Sequence, residues 1–258
     1  MVTASYVNVI TFEQTIGNKS LSYATLSNSP TEKLPERFTL CSSHMLHRIP
    51  SQTADFYQIF TDGGKPWLYL TLETVKGNLI WLHIDGVWFK LTEIASVRMY
   101  YWYHICLDID LVTGKMNAAL NGKKLGTTVN VKEAVNSNLP KTLKKKLVLG
   151  KFLHITHGVD TQFHWSVSQI NIFHKDNDIE KISKDICNSE GDYFAWSDMI
   201  WTQTGSHVTE RYVDHESMCG QSEIYKVAVP LQVSYSHARG LCHNLGDGVM
   251  PVAYDQDE

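Results

Sequence analysis

The run Ile105-Cys106-Leu107-Asp108-Ile109-Asp110-Leu111 alternates without a break. In an extended chain Ile105, Leu107, Ile109 and Leu111 point one way, and Cys106, Asp108 and Asp110 the other. A helix, with its period of 3.6, cannot sort these residues that way. The same period of two recurs along the chain. Phe38-Thr39-Leu40-Cys41 alternates, and Phe56 to Phe60 ends at the turn signal Asp62-Gly63-Gly64-Lys65. Trp67 to Glu73 places Leu68, Leu70 and Leu72 on one face, and Asn78 to Ile84 places Ile80, Leu82 and Ile84. Asp85-Gly86 turns the chain into Val87 to Leu91, and Asn121-Gly122 supplies a type I′ hairpin turn after Lys115 to Leu120. Leu147 to Gly150 and Val167 to Phe173 read as two further strands. Many short strands with glycine-rich turns predict an all-β, antiparallel two-sheet sandwich.

Composition narrows what such a sandwich can do. Apolar residues make up 43% of the 258 residues and charged residues 19%, enough for a core and too few charges for a disordered chain. The net charge of −4 argues against nucleic acid as a partner. No apolar run reaches the roughly 18 residues of a membrane-spanning helix. The start, Met1-Val-Thr-Ala-Ser-Tyr, lacks the basic and apolar regions of a signal peptide. Lys141 and Lys144-Lys145-Lys146 form a basic cluster before a strand, read as a solvated loop or as a patch for an acidic glycan or phospholipid head.

The five cysteines are Cys41, Cys106, Cys187, Cys219 and Cys242. None forms a CxxC pair, so a zinc ribbon or redox motif is not indicated. An odd number leaves at least one thiol over or paired outside the chain. Asn18-Lys19-Ser20 is a glycosylation sequon at Asn18, whereas Pro30 blocks Asn28-Ser29-Pro30. After residue 175 the pattern changes. Residues 176–186 look briefly helical through Ile179, Ile182 and Ile186. Cys187 and Cys219 bracket a Trp-rich stretch and are expected to pair. Trp196 and Trp201 within it either pack against the sandwich or offer a face to a sugar. Between Ser234, a plausible N-cap, and Gly246, a plausible C′ residue, a helix is expected with Tyr235, Ala238 and Leu245 on one face.

Several of these segments, in order, resemble the pentraxin family of concanavalin-A/laminin-G-like sandwiches. Phe38-Thr39-Leu40-Cys41 is similar to its first-cysteine strand and Trp102-Tyr103-His104-Ile105-Cys106 to its W-x-H-x-C strand. Thr113-Gly114-Lys115 with Leu120-Asn121-Gly122-Lys123 resembles the hairpin that follows, and Leu147-Val148-Leu149-Gly150 the L-x-L-G strand. The resemblance spans 1–186 and implies a jelly-roll sandwich with a Cys41–Cys106 disulfide. It also implies calcium, which needs six to eight hard oxygens. Asp62 matches one family ligand, but Gly63 follows it, and Lys151-Phe152-Leu153-His154 stands where acidic or amide ligands are expected. Asp160 and Gln162 are the other nearby oxygen ligands. A complete calcium site, or any other cofactor, is therefore not expected. Residues 187–230 read as a Trp-rich, disulfide-linked linker forming a small α+β extension. Residues 231–258 resemble the start of a C-type lectin-like domain through Tyr235, Ala238, Cys242, Leu245 and Gly246. That resemblance implies a partner for Cys242 beyond this chain, so Cys242 is the expected odd thiol.

Enzymatic signatures are missing. The chain has no HExxH, GxSxG, P-loop or GxGxxG pattern. Asp108 and Asp110 share a strand face, as paired glycosidase carboxylates do, but are expected to face solvent. His44 and His47 are three apart, which on a strand places them on opposite faces. The expected function is a non-enzymatic, extracellular recognition or adhesion module for a glycan, glycoconjugate or cell-surface protein. The rivals are a structural ectodomain piece of a larger membrane receptor or channel, and a degenerate glycosidase-like sandwich. In each case a membrane enters only through other parts of a parent chain.

Overall fold

The computed structural model describes residues 6–13, 22–30, 33–48, 53–74, 77–94, 97–125, 129–130, 142–150, 164–174 and 178–219. Its strands, numbered in chain order, form two antiparallel sheets. The first runs, in spatial order, β10 (Lys123–Lys124), β9 (Lys115–Leu120), β8 (Trp102–Asp110), β3 (Arg37–Leu46), β13 (His164–His174), β1 (Tyr6–Glu13) and β15 (Val208–Asp214), with β11 (Val129–Asn130) also against β9. The second runs β14 (Trp201–Thr204), β2 (Tyr23–Leu26), β12 (Leu147–Leu149), β4 (Thr53–Phe60), β5 (Pro66–Glu73), β6 (Leu79–Ile84) and β7 (Val87–Glu93). The apolar phases meet between the sheets. Ile105, Leu107 and Ile109 share one core with Leu68, Leu70, Leu72, Ile80, Leu82 and Ile84. Asn121 and Gly122 both take positive φ (48° and 77°), as the type I′ turn requires. Gly150 also has positive φ, and a Cβ there would lie 2.7 Å from the Phe12 ring, so the L-x-L-G glycine is a packing requirement.

Cys41 and Cys106 are directly opposite each other on β3 and β8, and they form a disulfide. The bond lies on the outer face of the first sheet. Helix α1 (Ile179–Lys184) closes over it, burying Ile179 and Ile182 against the sulfurs, Ala119, Phe173 and Ile186. Asp178 caps this helix, its carboxylate accepting the backbone N–H groups of Glu180 (3.1 Å) and Lys181 (3.2 Å).

Residues 187–219 are not a linker: they complete both sheets. A register shift in β13 between Ser168 and Asn171 releases the Asn171 side chain. Its Oδ1 accepts the backbone N–H groups of Gly191 (3.2 Å) and Trp196 (2.9 Å). The segment then crosses to the second sheet, where Asn28 receives it: Oδ1 accepts from Ile200 N (2.9 Å) and Nδ2 donates to the Asp198 carbonyl (2.7 Å). From there it supplies β14 beside β2 and β15 beside β1. Helix α2 (His215–Cys219) follows and buries Met218 against Val7, Val9, Met45 and Trp102. Cys219 is disulfide-bonded to Cys187, Cα atoms 6.1 Å apart. The sandwich therefore reaches Cys219, not 186. Residues 220–258, with Cys242 and the helix expected between Ser234 and Gly246, lie outside the described residues.

His44 and His47 part as their spacing predicts. His44 lies in the core, its ring 4.3 Å from Phe56 and 5.6 Å from Trp165, and Nε2 shares a 2.7 Å hydrogen bond with the Ser42 hydroxyl. Burial, with a lesser push from His104, lowers its pKa to about 3. His104, on the outer face under α2, bonds the Ser43 hydroxyl at 2.8 Å and is lowered by burial to about 4.

Two outcomes follow. Closing a loop of 65 residues constrains the unfolded chain by about 4 kcal/mol, so Cys41→Ala/Cys106→Ala is expected to lose on that order in denaturant unfolding. The buried histidines stay neutral when folded, whereas an unfolded chain protonates them near pH 6.5. Their contribution is intact above that pH and falls away as the pH drops towards the folded values. For each histidine the slope is at most about 1.4 kcal/mol per pH unit. Melting temperature is expected to fall between pH 7.5 and 4.5, and less steeply in His44→Phe.

Candidate functional site

The inward leucines and isoleucines of β5, β6 and β7 force the opposite phase outward. That phase carries Tyr69, Thr71 and Glu73, then Trp81 and His83, then Trp88 and Lys90. Strand register arranges them in rows. Gln58, Tyr69, His83 and Trp88 form one row across β4 to β7; Asp55, Thr71, Trp81 and Lys90 form the next. Tyr69 stacks on His83 with ring centroids 4.1 Å apart, and His83 meets Trp88 edge-on at 5.0 Å. Trp81 and Trp88 stand nearly perpendicular, centroids 6.3 Å apart.

Between these rings opens a cleft of about 270 Å³, lined by Thr71, Glu73, Trp81 and Trp88. Trp88 is 47% exposed. Each polar group at the cleft is positioned by a neighbour. The Trp81 indole N–H donates to the Glu73 carboxylate at 2.9 Å, which fixes both the ring and the acid. Thr71 donates its hydroxyl to the buried Asp55 carboxylate at 2.7 Å, and Gln58 donates to the same carboxylate at 2.9 Å. Burial first, and then Asp55, push the Tyr69 phenol up, so it stays protonated. A slot with two indole walls, a carboxylate acceptor and a threonine can hold the apolar faces of a small polyhydroxylated ligand and bond its hydroxyls. Sequence reading missed these residues because it followed the apolar phase of each strand. The signal was present in the other phase, where aromatic residues fall on what should be the wet face of a sheet.

The residues singled out in the sequence lie elsewhere. Trp196 is buried, its indole donating to the Asn8 carbonyl at 3.1 Å, and it packs against Trp201 at 5.6 Å within the core. Trp201 is partly buried and packs against that core. Asp110 is buried, not solvent-facing: it pairs with Arg37 (3.3 Å) and accepts the backbone N–H groups of Val112 and Thr113 in the following turn. Asp108 accepts from Asn117 at 3.3 Å, so the pair is committed to structure. Asn18, Lys151, Asp160 and Gln162 lie outside the described residues.

The basic cluster does not act as one patch. Lys144 and Lys145 are exposed, but the Lys146 ammonium donates to the backbone carbonyls of Thr61 (3.1 Å) and Asp62 (3.2 Å) and lies 3.9 Å from the Asp62 carboxylate. The described oxygens around Asp62 thus already face the Lys146 ammonium. Lys146→Met is expected to lower stability by on the order of 1 kcal/mol in denaturant unfolding, since it strips a charged donor from two carbonyls. Calcium titration of the unaltered chain is expected to give no saturable heat at or below about 1 mM.

No protein-family model and no curated protein matches the sequence. Solved structures are similar in fold. A heptameric SAP-like pentraxin from Limulus polyphemus superposes with a TM-score of 0.59 at 16% identity, covering 83% of this chain and 98% of its own. The full extracellular region of zebrafish Gpr126/Adgrg6 gives 0.56 at 13%, over 78% of this chain and 26% of that one. A putative carbohydrate binding protein from Bacteroides ovatus gives 0.54 at 13%, over 81% of this chain and 61% of that one. The chain thus spans nearly the whole of the pentraxin and only part of the other two. At these identities the likeness establishes the fold, a pentraxin-like two-sheet sandwich.

Proposed function

We propose that the protein is an extracellular recognition module that binds a glycan or glycoconjugate in the Trp81–Trp88 cleft, without turning it over. The observation that carries this reading is Trp88: a large, half-exposed indole on the outer face of a sheet, beside a second indole locked to Glu73. Exposed aromatic rings on a sheet are costly in water, and their apolar faces suit the C–H surfaces of sugars. The paired disulfides and the likeness in fold to the putative carbohydrate binding protein from Bacteroides ovatus support the reading. A second reading is favoured by the likeness to the extracellular region of zebrafish Gpr126/Adgrg6: a structural ectodomain piece with protein partners only.

Glycan-array screening followed by tryptophan fluorescence separates the two. The expected result is saturable binding that shifts the emission, with affinity reduced tenfold or more in Trp88→Ala, a loss of about 1.4 kcal/mol or more. Trp88→Ala should melt close to the parent, because the ring is half exposed. Binding that survives Trp88→Ala unchanged, or no glycan binding alongside capture of a protein partner, would overturn the cleft assignment.

A further inference from the structure

The opposite sheet carries a second constellation, which the glycan reading does not use. On the outer face of β1, β13 and β15, Thr11 pairs with Ser166, Arg211 stands opposite Val9 on the same face, and His47 and His164 lie at the ends of β3 and β13. The hydroxyls of Ser166 and Thr11 share a 2.8 Å hydrogen bond, and both are buried. His47 Nε2 lies 2.6 Å from the Ser166 hydroxyl and 3.4 Å from Arg211 Nη2; of these the guanidinium can only donate. Arg211 Nη2 is also 3.4 Å from Ser166 Oγ. The two imidazoles are 4.3 Å apart, and Tyr100 walls the far side with its ring 5.4 Å from His47.

Three cationic or potentially cationic side chains therefore converge with little to neutralise them. Among the described residues the carboxylate that faces them is Glu13, 55% exposed and 3.8 Å from His164 Nε2. Among the described residues Arg211 forms no ion pair, and its two hydrogen bonds are long. Glu210, its neighbour on β15, lies on the opposite phase and accepts from the Asn8 amide instead. Arg211 is exposed, so its guanidinium can present charged donors to an incoming oxyanion. Ser166 is fully buried between strands, so a nucleophilic serine–histidine pair is excluded: no substrate carbonyl could reach its Oγ.

We propose that Arg211, His47 and His164 form a binding site for a tetrahedral oxyanion, the sulfate or phosphate monoester of an acidic ligand, on the outer face of the larger sheet. Arg211 supplies a charged N–H donor on one side, and the two imidazoles supply donors on the other when protonated. In the free protein His47 is held near pKa 3 by burial, then by His164 and Arg211; His164 is lowered by burial, with Glu13 acting against it and Arg211 with it. An anion seated among them reverses the repulsion, raises both pKa values and draws in protons. Affinity therefore rises as the pH falls.

The test uses the intact chain and inorganic sulfate, whose own charge does not change between pH 5 and 7.5. Calorimetry and histidine-ring NMR at constant ionic strength should show saturable binding at pH 5, weaker by about tenfold or more at pH 7.5. Arg211→Met should abolish it, Arg211→Lys should retain part of it, and Trp88→Ala should leave it unchanged, which separates this site from the glycan cleft. Melting curves show whether the variants are folded. Competition by a sulfated and by a phosphorylated monosaccharide then identifies which ester is preferred; displacement by either supports the site. No saturable sulfate binding at pH 5 stronger than about 10 mM, or binding indifferent to Arg211→Met in a folded variant, would overturn it.

Discussion

The pairing of β3 with β8 is the constraint on which the rest depends. These two strands sit at the centre of the larger sheet, and their residues alternate strictly between faces. A slip of one residue would send Ile105, Leu107 and Ile109 outward and bring Asp108 and Asp110 into the core. Burying two carboxylates without partners would cost far more than the sheet could recover. The Cys41–Cys106 disulfide joins partners in this register, and α1 seals its sulfurs from water. Once this register is set, β13, β1 and β15 follow on one side and β9 on the other.

The two outer faces meet different fates, and this difference makes room for function. On the larger sheet α1, α2 and the two disulfides close much of the surface, leaving the His47–Arg211 cluster beside the Met218 patch. On the smaller sheet no helix among the described residues lies across β5 to β7. There the outward phase keeps its tyrosine, histidine and tryptophans packed against each other, with a cleft between them. The cleft exists because cross-strand register puts Trp81 beside Thr71 and His83 beside Trp88.

Lys146 shows how the same oxygens can serve another end. Two backbone carbonyls and a carboxylate converge near Asp62, as hard-cation sites require, but an ammonium from the turn before β12 occupies them. A tethered cation is present at unit occupancy without any metal in solution. The basic cluster at 144–146 reads in sequence as one charged patch, yet its third member is turned inward by contacts more than eighty residues away.

Fold class, most strands, the asparagine–glycine turn and the pairing of four cysteines were legible in the sequence. Alternation and turn chemistry are local, and the L-x-L-G and cysteine positions fall where resemblance to known sandwiches placed them. Residues 187–219 were not legible as sandwich: their strands are short and edge-like, and what binds them, the Asn171 and Asn28 side chains, lies far off in sequence. The same holds for the candidate sites. By itself the sequence determined which residues alternate and so which phase must be buried. Only the tertiary structure decided which outward residues became neighbours. Trp81 and Trp88, or Arg211 and His47, meet through strand pairing between distant segments, and that depends on register and not on any pattern within one segment.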